Sequence, residues 1–377
     1  MDAFEHQDVL AQLNTHAPLK DKLITAHTLV EDYYPFIARV AITLYDPQTR
    51  VLKTYLHSSG DSHPLEHYKA LIDDAPSLKE ILKKRRPRVI NNLVTQETDQ
   101  REHSRRFGRE GYAASYTLPM FNDGAFFGFL FFNSTHKDVF TEPVLRQLDI
   151  FGHLISLMVL NEISSVDIMS AAVRTTTRLT HVRDPETGSH LDRMSRYSRV
   201  IAEALADQYQ LDDDYIEHVF MFAPLHDIGK IAIPDSILLK PDALNDDEKA
   251  IMRTHSRRGR ELIDEIISNF KLDGMDHMDI LRNIAEYHHE AVNGTGYPEG
   301  RAGNEVPLEA RIVAVADVFD ALTSRRPYKQ AWANDKALQT LLEMADEKLD
   351  KDCVNALLNN LDQVVEIQQQ FQENSVG

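Results

Sequence analysis

Short stretches in which apolar and polar residues alternate mark the first part of the chain. Arg39-Val40-Ala41-Ile42-Thr43-Leu44-Tyr45 and Val51-Leu52-Lys53-Thr54-Tyr55-Leu56 are rich in β-branched and aromatic residues. They flank the turn-forming Asp46-Pro47-Gln48-Thr49-Arg50, so they predict a hairpin. Tyr116-Thr117-Leu118-Pro119-Met120-Phe121 and Ala125-Phe126-Phe127-Gly128-Phe129-Leu130-Phe131-Phe132 flank Asn122-Asp123-Gly124 and predict a second. Between them, Ser77-Leu78-Lys79-Glu80-Ile81-Leu82 has helical character. A twisted antiparallel sheet carrying helices is expected over residues 1–150.

From about Glu142 the period becomes that of a helix. Leu148, Phe151, Ile155, Met158, Val166, Met169 and Val173 form a coiled-coil-like seam, interrupted near Glu162. Either this is a parallel dimer helix that relays a signal between domains, or an amphipathic helix that packs on its own domain; the first is the expectation. Residues 165–377 are helix-periodic nearly throughout, and Leu191, Met194, Tyr197, Ile201, Ala204 and Leu205 mark the first core helix. The expected organisation is an α/β N-terminal domain (1–150), a helical linker (151–180) and an all-α bundle (181–377).

Composition adds exclusions. A chain of 377 residues exceeds what one ordinary core requires, and 42% hydrophobic with 27% charged residues is typical of a globular protein. The N-terminus lacks a basic stretch followed by an apolar core, and no run approaches the roughly 18 apolar residues of a membrane helix, so a cytoplasmic protein without membrane contact is expected. Cys353 is the single cysteine, which excludes an intramolecular disulfide and a thiolate-rich zinc site. A net charge of −18 argues against DNA or RNA as partner. Cations are nevertheless concentrated at Arg183, Arg193, Arg196 and Arg199 and again at Arg325, Arg326 and Lys329, either as solvated basic faces or as grips for a small phosphorylated ligand.

Metal ligands in this chain must be His, Asp and Glu. The candidates in order are Glu186, His190, His226, Asp227, His255, His288, His289 and Asp317. Glu186 and His190 are four apart and would share one helix face. Adjacent pairs diverge by about 100° on a regular helix, so His226-Asp227 and His288-His289 serve one site only if it is extended. Eight ligands therefore fit two or three ions better than one. Asp317 interrupts the apolar strip Ile312-Val313-Ala314-Val315-Ala316, where an unpaired carboxylate is costly and a metal removes the cost.

These segments carry a specific resemblance. Arg183 to His190, His226-Asp227-Ile228-Gly229-Lys230, Ile233-Pro234-Asp235, Lys240-Pro241, His255, the run His288 to Pro298, Asp317 and Arg326-Pro327-Tyr328-Lys329 together resemble an HD-GYP domain. That family belongs to the HD metal-dependent phosphohydrolases and opens cyclic dinucleotides. The resemblance implies that His190, His226, Asp227, His255, His288, His289 and Asp317 ligate iron or manganese, with Glu186 completing a third metal position. It assigns phosphate contacts to Lys230, Arg326 and Lys329 and places Gly296 and Tyr297 at the substrate. His226, Asp227 and Lys230 are the residues it implies for catalysis: metal-bound water is acidified for in-line attack while Lys230 stabilises added charge. Asn293 and Ser256 depart from the usual Asp and Pro, and Leu349-Asp350-Lys351-Asp352 matches the closing motif only loosely. Residues 1–150, by their order of elements and by the hairpin Leu118 to Gly128, resemble a GAF domain, a small sensory module. A thioether-linked bilin is excluded, since no cysteine precedes Cys353.

The expected activity is hydrolysis of cyclic di-GMP to linear pGpG, with GMP as a further product, under control of the sensor. One alternative is the mixed guanine-adenine ring, 3′,3′-cyclic GMP-AMP; another is a nucleotidase acting on mononucleotides. An alternative of a different class is a non-catalytic binding module whose Gly-Tyr-Pro loop meets a nucleotide cyclase domain. The expected partners are the cyclic dinucleotide and a second copy of the chain.

Overall fold

The computed structural model describes residues 8–15, 17–59, 69–93, 111–179, 188–270, 277–324 and 331–372, and for 165–179, 188 and 270 the backbone alone. The chain divides into two compact units, one built on residues 1–164 and the other on 165–273 and 277–377.

Among the described residues the N-terminal unit is a sheet of β1 (Ile37–Asp46), β2 (Val51–Ser59), β3 (Lys69–Leu71), β4 (Arg88–Ile90), β5 (Ala114–Asn122) and β6 (Ala125–Ser134) in the order β3-β2-β1-β6-β5-β4, every pairing antiparallel. Both hairpins fold as the alternation predicts: β1 (Ile37–Asp46) with β2 (Val51–Ser59), and β5 (Ala114–Asn122) with β6 (Ala125–Ser134). Asp123 and Gly124 both take positive φ, the conformation a tight two-residue hairpin turn requires. The edge strands are short, β3 (Lys69–Leu71) and β4 (Arg88–Ile90).

Alternate residues send side chains to opposite faces, and both faces are covered. Val40, Ile42, Tyr116, Leu118, Leu130 and Phe132 pack on the helix Leu19–Tyr33 and on the start of the long helix Glu142–Leu179. Ala41, Leu52, Phe129 and Phe131 receive Leu78 and Ile81 of the helix Pro76–Lys84.

The first part of the long helix packs on its own domain. Leu148 and Ile155 are completely buried in the sheet's own core, and Phe151 and Met158 pack against the same cluster. The interruption at Glu162 has a local cause: its carboxylate accepts a hydrogen bond from Tyr55 Oη at 3.1 Å. Val166, Met169 and Val173 have side chains outside the described residues. Ile150 and Leu157, seven residues apart, are the large apolar side chains exposed on this helix among the described residues, at 69% and 63%. Residues 142–164 are long and apolar enough to cross a membrane by length and composition, but Leu148, Ile155 and Val159 are fully buried against the sheet.

The C-terminal unit is helical. The helix Leu308–Thr323 is apolar nearly all round, with Ala310, Ile312, Val313, Val315, Ala316 and Phe319 buried. That is the pattern of a central helix, and it packs against Gly188–Tyr209, Met278–Tyr287 and Asn334–Met344. Met194, Tyr197, Ile201 and Leu205 bury one side of Gly188–Tyr209, whereas Ala204 faces solvent. Asp350, in the loosely matching closing segment, accepts from Cys353 N to cap the helix Lys351–Leu358 and pairs with Arg311 at 2.6 Å.

Three arginines of the first cationic cluster are internal. Arg193, Arg196 and Arg199 are 5–6% exposed. Arg193 binds Asp320 through Nε (2.6 Å) and Nη2 (2.9 Å), Arg196 lies over the Phe371 ring at 4.0 Å, and Arg199 pairs with Glu217 while covering Phe220. They hold the bundle together and are not placed to grip a phosphate. Arg183, Arg325, Arg326 and Lys329 lie outside the described residues.

Candidate metal centre

His226 and Asp227 sit between two single-turn 3-10 helices, Ala223–Leu225 and Ile228–Ala232. Gly229 permits this placement: a Cβ there would lie 1.9 Å from the His255 carbonyl oxygen and 2.4 Å from Gly259 N. The loop is thus pressed onto the start of the helix His255–Phe270, which supplies His255. His288 is the C-cap of Met278–Tyr287, and His289 follows it. His190 comes from Gly188–Tyr209 and Asp317 from the central helix.

Two groups of donors result. One donor atom from each of Asp227, His255, His288 and His289 lies within 4.8 Å of the others, and the same holds for His190, His226 and Asp317. His226 Nε2 is 3.2 Å from Asp227 Oδ2, which joins the groups. Seven of the eight sequence-derived ligands therefore converge; Glu186 lies outside the described residues.

The protonation pattern defines the chemistry. His226, His255 and His288 each direct Nδ1 at a backbone carbonyl, of Ala223 (3.0 Å), Met252 (2.8 Å) and Ile284 (2.9 Å). A carbonyl only accepts, so each Nδ1 carries the proton and each Nε2 a lone pair. These lone pairs meet carboxylate oxygens: His255 Nε2 is 3.1 Å and His288 Nε2 3.6 Å from Asp227 Oδ1. Asp227 Oδ1, His255 Nε2 and His288 Nε2 are buried with no hydrogen-bond partner among the described residues. Buried lone pairs facing one another repel, and a divalent cation converts that repulsion into coordination. The donor set fits a metal.

Charge agrees with this. Burial lowers the His288 pKa; it holds His289 well below the ordinary value, aided by His288, so both are neutral and able to ligate. Burial opposes ionisation of Asp227, but the neighbouring Lys230 cation counters it, and the carboxyl stays well below its usual range. Lys230 Nζ lies 2.7 Å from Asp227 Oδ2 and is 21% exposed, a cation at the mouth of the site.

Residues that sequence reasoning missed hold the ligands in place. Asp320, fully buried, receives His190 Nδ1 at 2.7 Å and also binds Arg193 and Ser324. A carboxylate behind a ligating imidazole fixes its orientation and raises its basicity. Glu290 accepts backbone N–H groups of Glu299 (2.7 Å), Gly300 (3.0 Å) and Arg301 (3.1 Å), which shapes the loop carrying Gly296 and Tyr297. Gly296 is forced by the same packing, since a Cβ would come within 2.3 Å of Ala291 N. Asn293 Oδ1 accepts from Thr295 N and Oγ1, a role an aspartate oxygen fills equally, which accounts for that departure. The Tyr297 ring stands 4.8 Å from His289, with Arg253 5.3 Å from its centroid. Burial, with Asp227 nearby, raises the Tyr297 pKa, so it is a phenol that can donate. Arg326 and Lys329 lie outside the described residues.

Comparison with known proteins agrees with both units. Residues 24–159 match the GAF domain family and 184–353 the HD domain family. The N-terminal unit is a GAF domain and the C-terminal unit an HD domain, which implies dependence on a divalent metal. The run from His288 to Pro298 is the segment by which this HD domain resembles the HD-GYP family.

The cyclic di-GMP phosphodiesterase response regulator RpfG of Xanthomonas campestris is 45% identical over 194 residues, 52% of this chain and 48% of that protein. The 3′3′-cGAMP-specific phosphodiesterase 2 of Vibrio cholerae is 37% identical over 185 residues, 49% of this chain and 33% of its own length. The chain thus spans about half or less of these relatives. Among solved structures, the GAF domain/HD domain protein from Geobacter sulfurreducens is 13% identical, with 41% of this chain and 97% of that chain covered and a TM-score of 0.32.

Proposed function

We propose that this chain is a metal-dependent phosphodiesterase that opens cyclic di-GMP to linear pGpG, with GMP as a further product, and that its GAF domain regulates the reaction. The observation that carries the reading is the convergence of Nε2 lone pairs on Asp227 Oδ1, 3.1 Å and 3.6 Å away. His190, His226 and Asp317 would hold one ion and Asp227, His255, His288 and His289 another, with Glu186 available to a third. Mixed imidazole and carboxylate donors favour iron or manganese. Bound ions supply Lewis acidity and a water acidified toward neutral pH.

The side chains do the rest. Lys230 presents a positive charge where the phosphoryl oxygens gain negative charge. Tyr297 offers a phenolic donor and a ring face beside the ligands. Asp320 and Arg193 keep His190 aimed, and Glu290 keeps the Tyr297 loop in register. Arg326 and Lys329 complete the phosphate grip by family resemblance. We also propose a homodimer, a cytoplasmic location and no nucleic acid partner; a nucleotide cyclase domain is a partner that the Gly-Tyr-Pro loop could meet.

The mixed guanine-adenine ring is the second reading, supported by the 37% identity to a relative with that name. Side-by-side turnover of both rings by manganese- or iron-loaded protein decides between them. Faster cleavage of cyclic di-GMP is expected; preference for the mixed ring would transfer the assignment. Failure on both, in metal-replete protein, would favour the binding module.

A further inference from the structure

A second histidine–carboxylate cluster lies apart from the residues assigned above. Asp214 and His218 are one turn apart on the helix Asp213–Phe222, and His277 is the N-cap of Met278–Tyr287. One donor atom from each lies within 4.8 Å of the others. A tetrahedral cation with bonds of about 2.1 Å holds its donors roughly 3.4 Å apart, which falls inside that limit.

One hydrogen bond sets the tautomer of His218, as backbone carbonyls do at the main centre. His218 Nδ1 donates to the Asp214 backbone carbonyl at 2.8 Å, which leaves Nε2 as the lone-pair atom of a completely buried imidazole. Asp214 is 3% exposed, and its Oδ1 accepts no hydrogen bond among the described residues, although His218 Nδ1 is 3.2 Å away. His277 Nε2 stands 2.9 Å from Asp214 Oδ2, and the two imidazole centroids are 4.6 Å apart. Asp214 Oδ1, buried beside two imidazoles and outside hydrogen-bonding geometry, is an oxygen that a cation would engage. The His277 side chain is 29% exposed, which gives solvent and an ion a way in.

We propose that Asp214, His218 and His277 form a separate binding site for a zinc-class divalent cation, with water completing the coordination. Two imidazoles, one carboxylate and water are a common zinc donor set. The site has a defined place in the fold. The helix Asp213–Phe222 leads through the 3-10 turns to His226 and Asp227, and Met278–Tyr287 leads to His288 and His289. An ion at this end ties together the starts of both helices that deliver ligands to the main centre, about 15 Å along the second.

The test uses full-length protein, stripped of metal and reloaded with zinc, as wild type and as His277→Ala and Asp214→Asn. Bound zinc is counted by elemental analysis, and melting is recorded with zinc and with chelator. The site predicts that each variant binds about one equivalent less than wild type and that zinc raises its Tm by less. Because His277→Ala leaves the main ligands intact, zinc at that centre persists, and the two sites are read separately. Equal zinc counts and equal zinc-dependent Tm gains in wild type and His277→Ala would overturn the proposal. A Tm loss in His277→Ala that is the same with zinc and with chelator would assign the cluster to hydrogen bonding alone.

Discussion

Asp320→Asn isolates the support of His190 while barely changing volume. The carboxylate receives His190 Nδ1 at 2.7 Å, Arg193 Nε at 2.6 Å and Nη2 at 2.9 Å, and Ser324 Oγ at 2.9 Å. An amide removes the charge and turns one acceptor into a donor, which must then face either an imidazole N–H or the guanidinium. Leaving a buried Arg193 without its counter-ion costs about 3–5 kcal/mol. Losing the carboxylate behind a ligating histidine weakens metal affinity by roughly 10–100-fold.

The pH dependence has a definite sign. Burial opposes the charge on Asp320, but His190 and Arg193 outweigh it and hold its folded pKa below the ordinary value. Its stabilisation is therefore full above about pH 4 and lost as pH falls through the lower folded value. Asp320→Asn should melt earlier at pH 7, show a shallower acid-side loss than wild type, and release metal to a competing chelator more readily. Thermal melts across pH 3–7 with chelator competition measure all three. If Asp320→Asn matched wild type in Tm and metal affinity, the role given to this network would be wrong.

Gly229→Ala should impair metal binding and lower Tm, because its Cβ would meet the His255 carbonyl at 1.9 Å and push Asp227 away from His255; unchanged metal content would refute the close packing. Ile150→Glu with Leu157→Glu charges the exposed apolar side of the long helix and should convert the proposed dimer to monomer, read by light scattering at micromolar concentration. A wild type that is already monomeric would remove the dimer itself.

The two hairpins were legible because turn chemistry and alternation are local. The seven candidate ligands were legible because histidines and acids recur in spaced motifs. Asp320 was not, although it lies three residues after Asp317 on the same helix, because its partners His190 and Arg193 are more than 120 residues away in sequence. Arg193, Arg196 and Arg199 read as a cationic cluster because a charge count carries no information on burial. Their partners Asp320, Glu217, Phe220 and Phe371 are assembled only by the fold. The long helix held two readings for a different reason: a coiled-coil seam and a face packed on its own sheet share nearly the same period. Leu148 and Ile155, buried against the sheet, take the second course over the first part of the helix.

The most direct measurement is product formation from cyclic di-GMP by iron- or manganese-loaded full-length protein, beside Asp227→Ala loaded in the same way. Asp227 touches His226, His255, His288 and Lys230, so the account predicts linear dinucleotide from wild type and its loss in the variant. Equal product from Asp227→Ala, or none from metal-replete wild type, would contradict it.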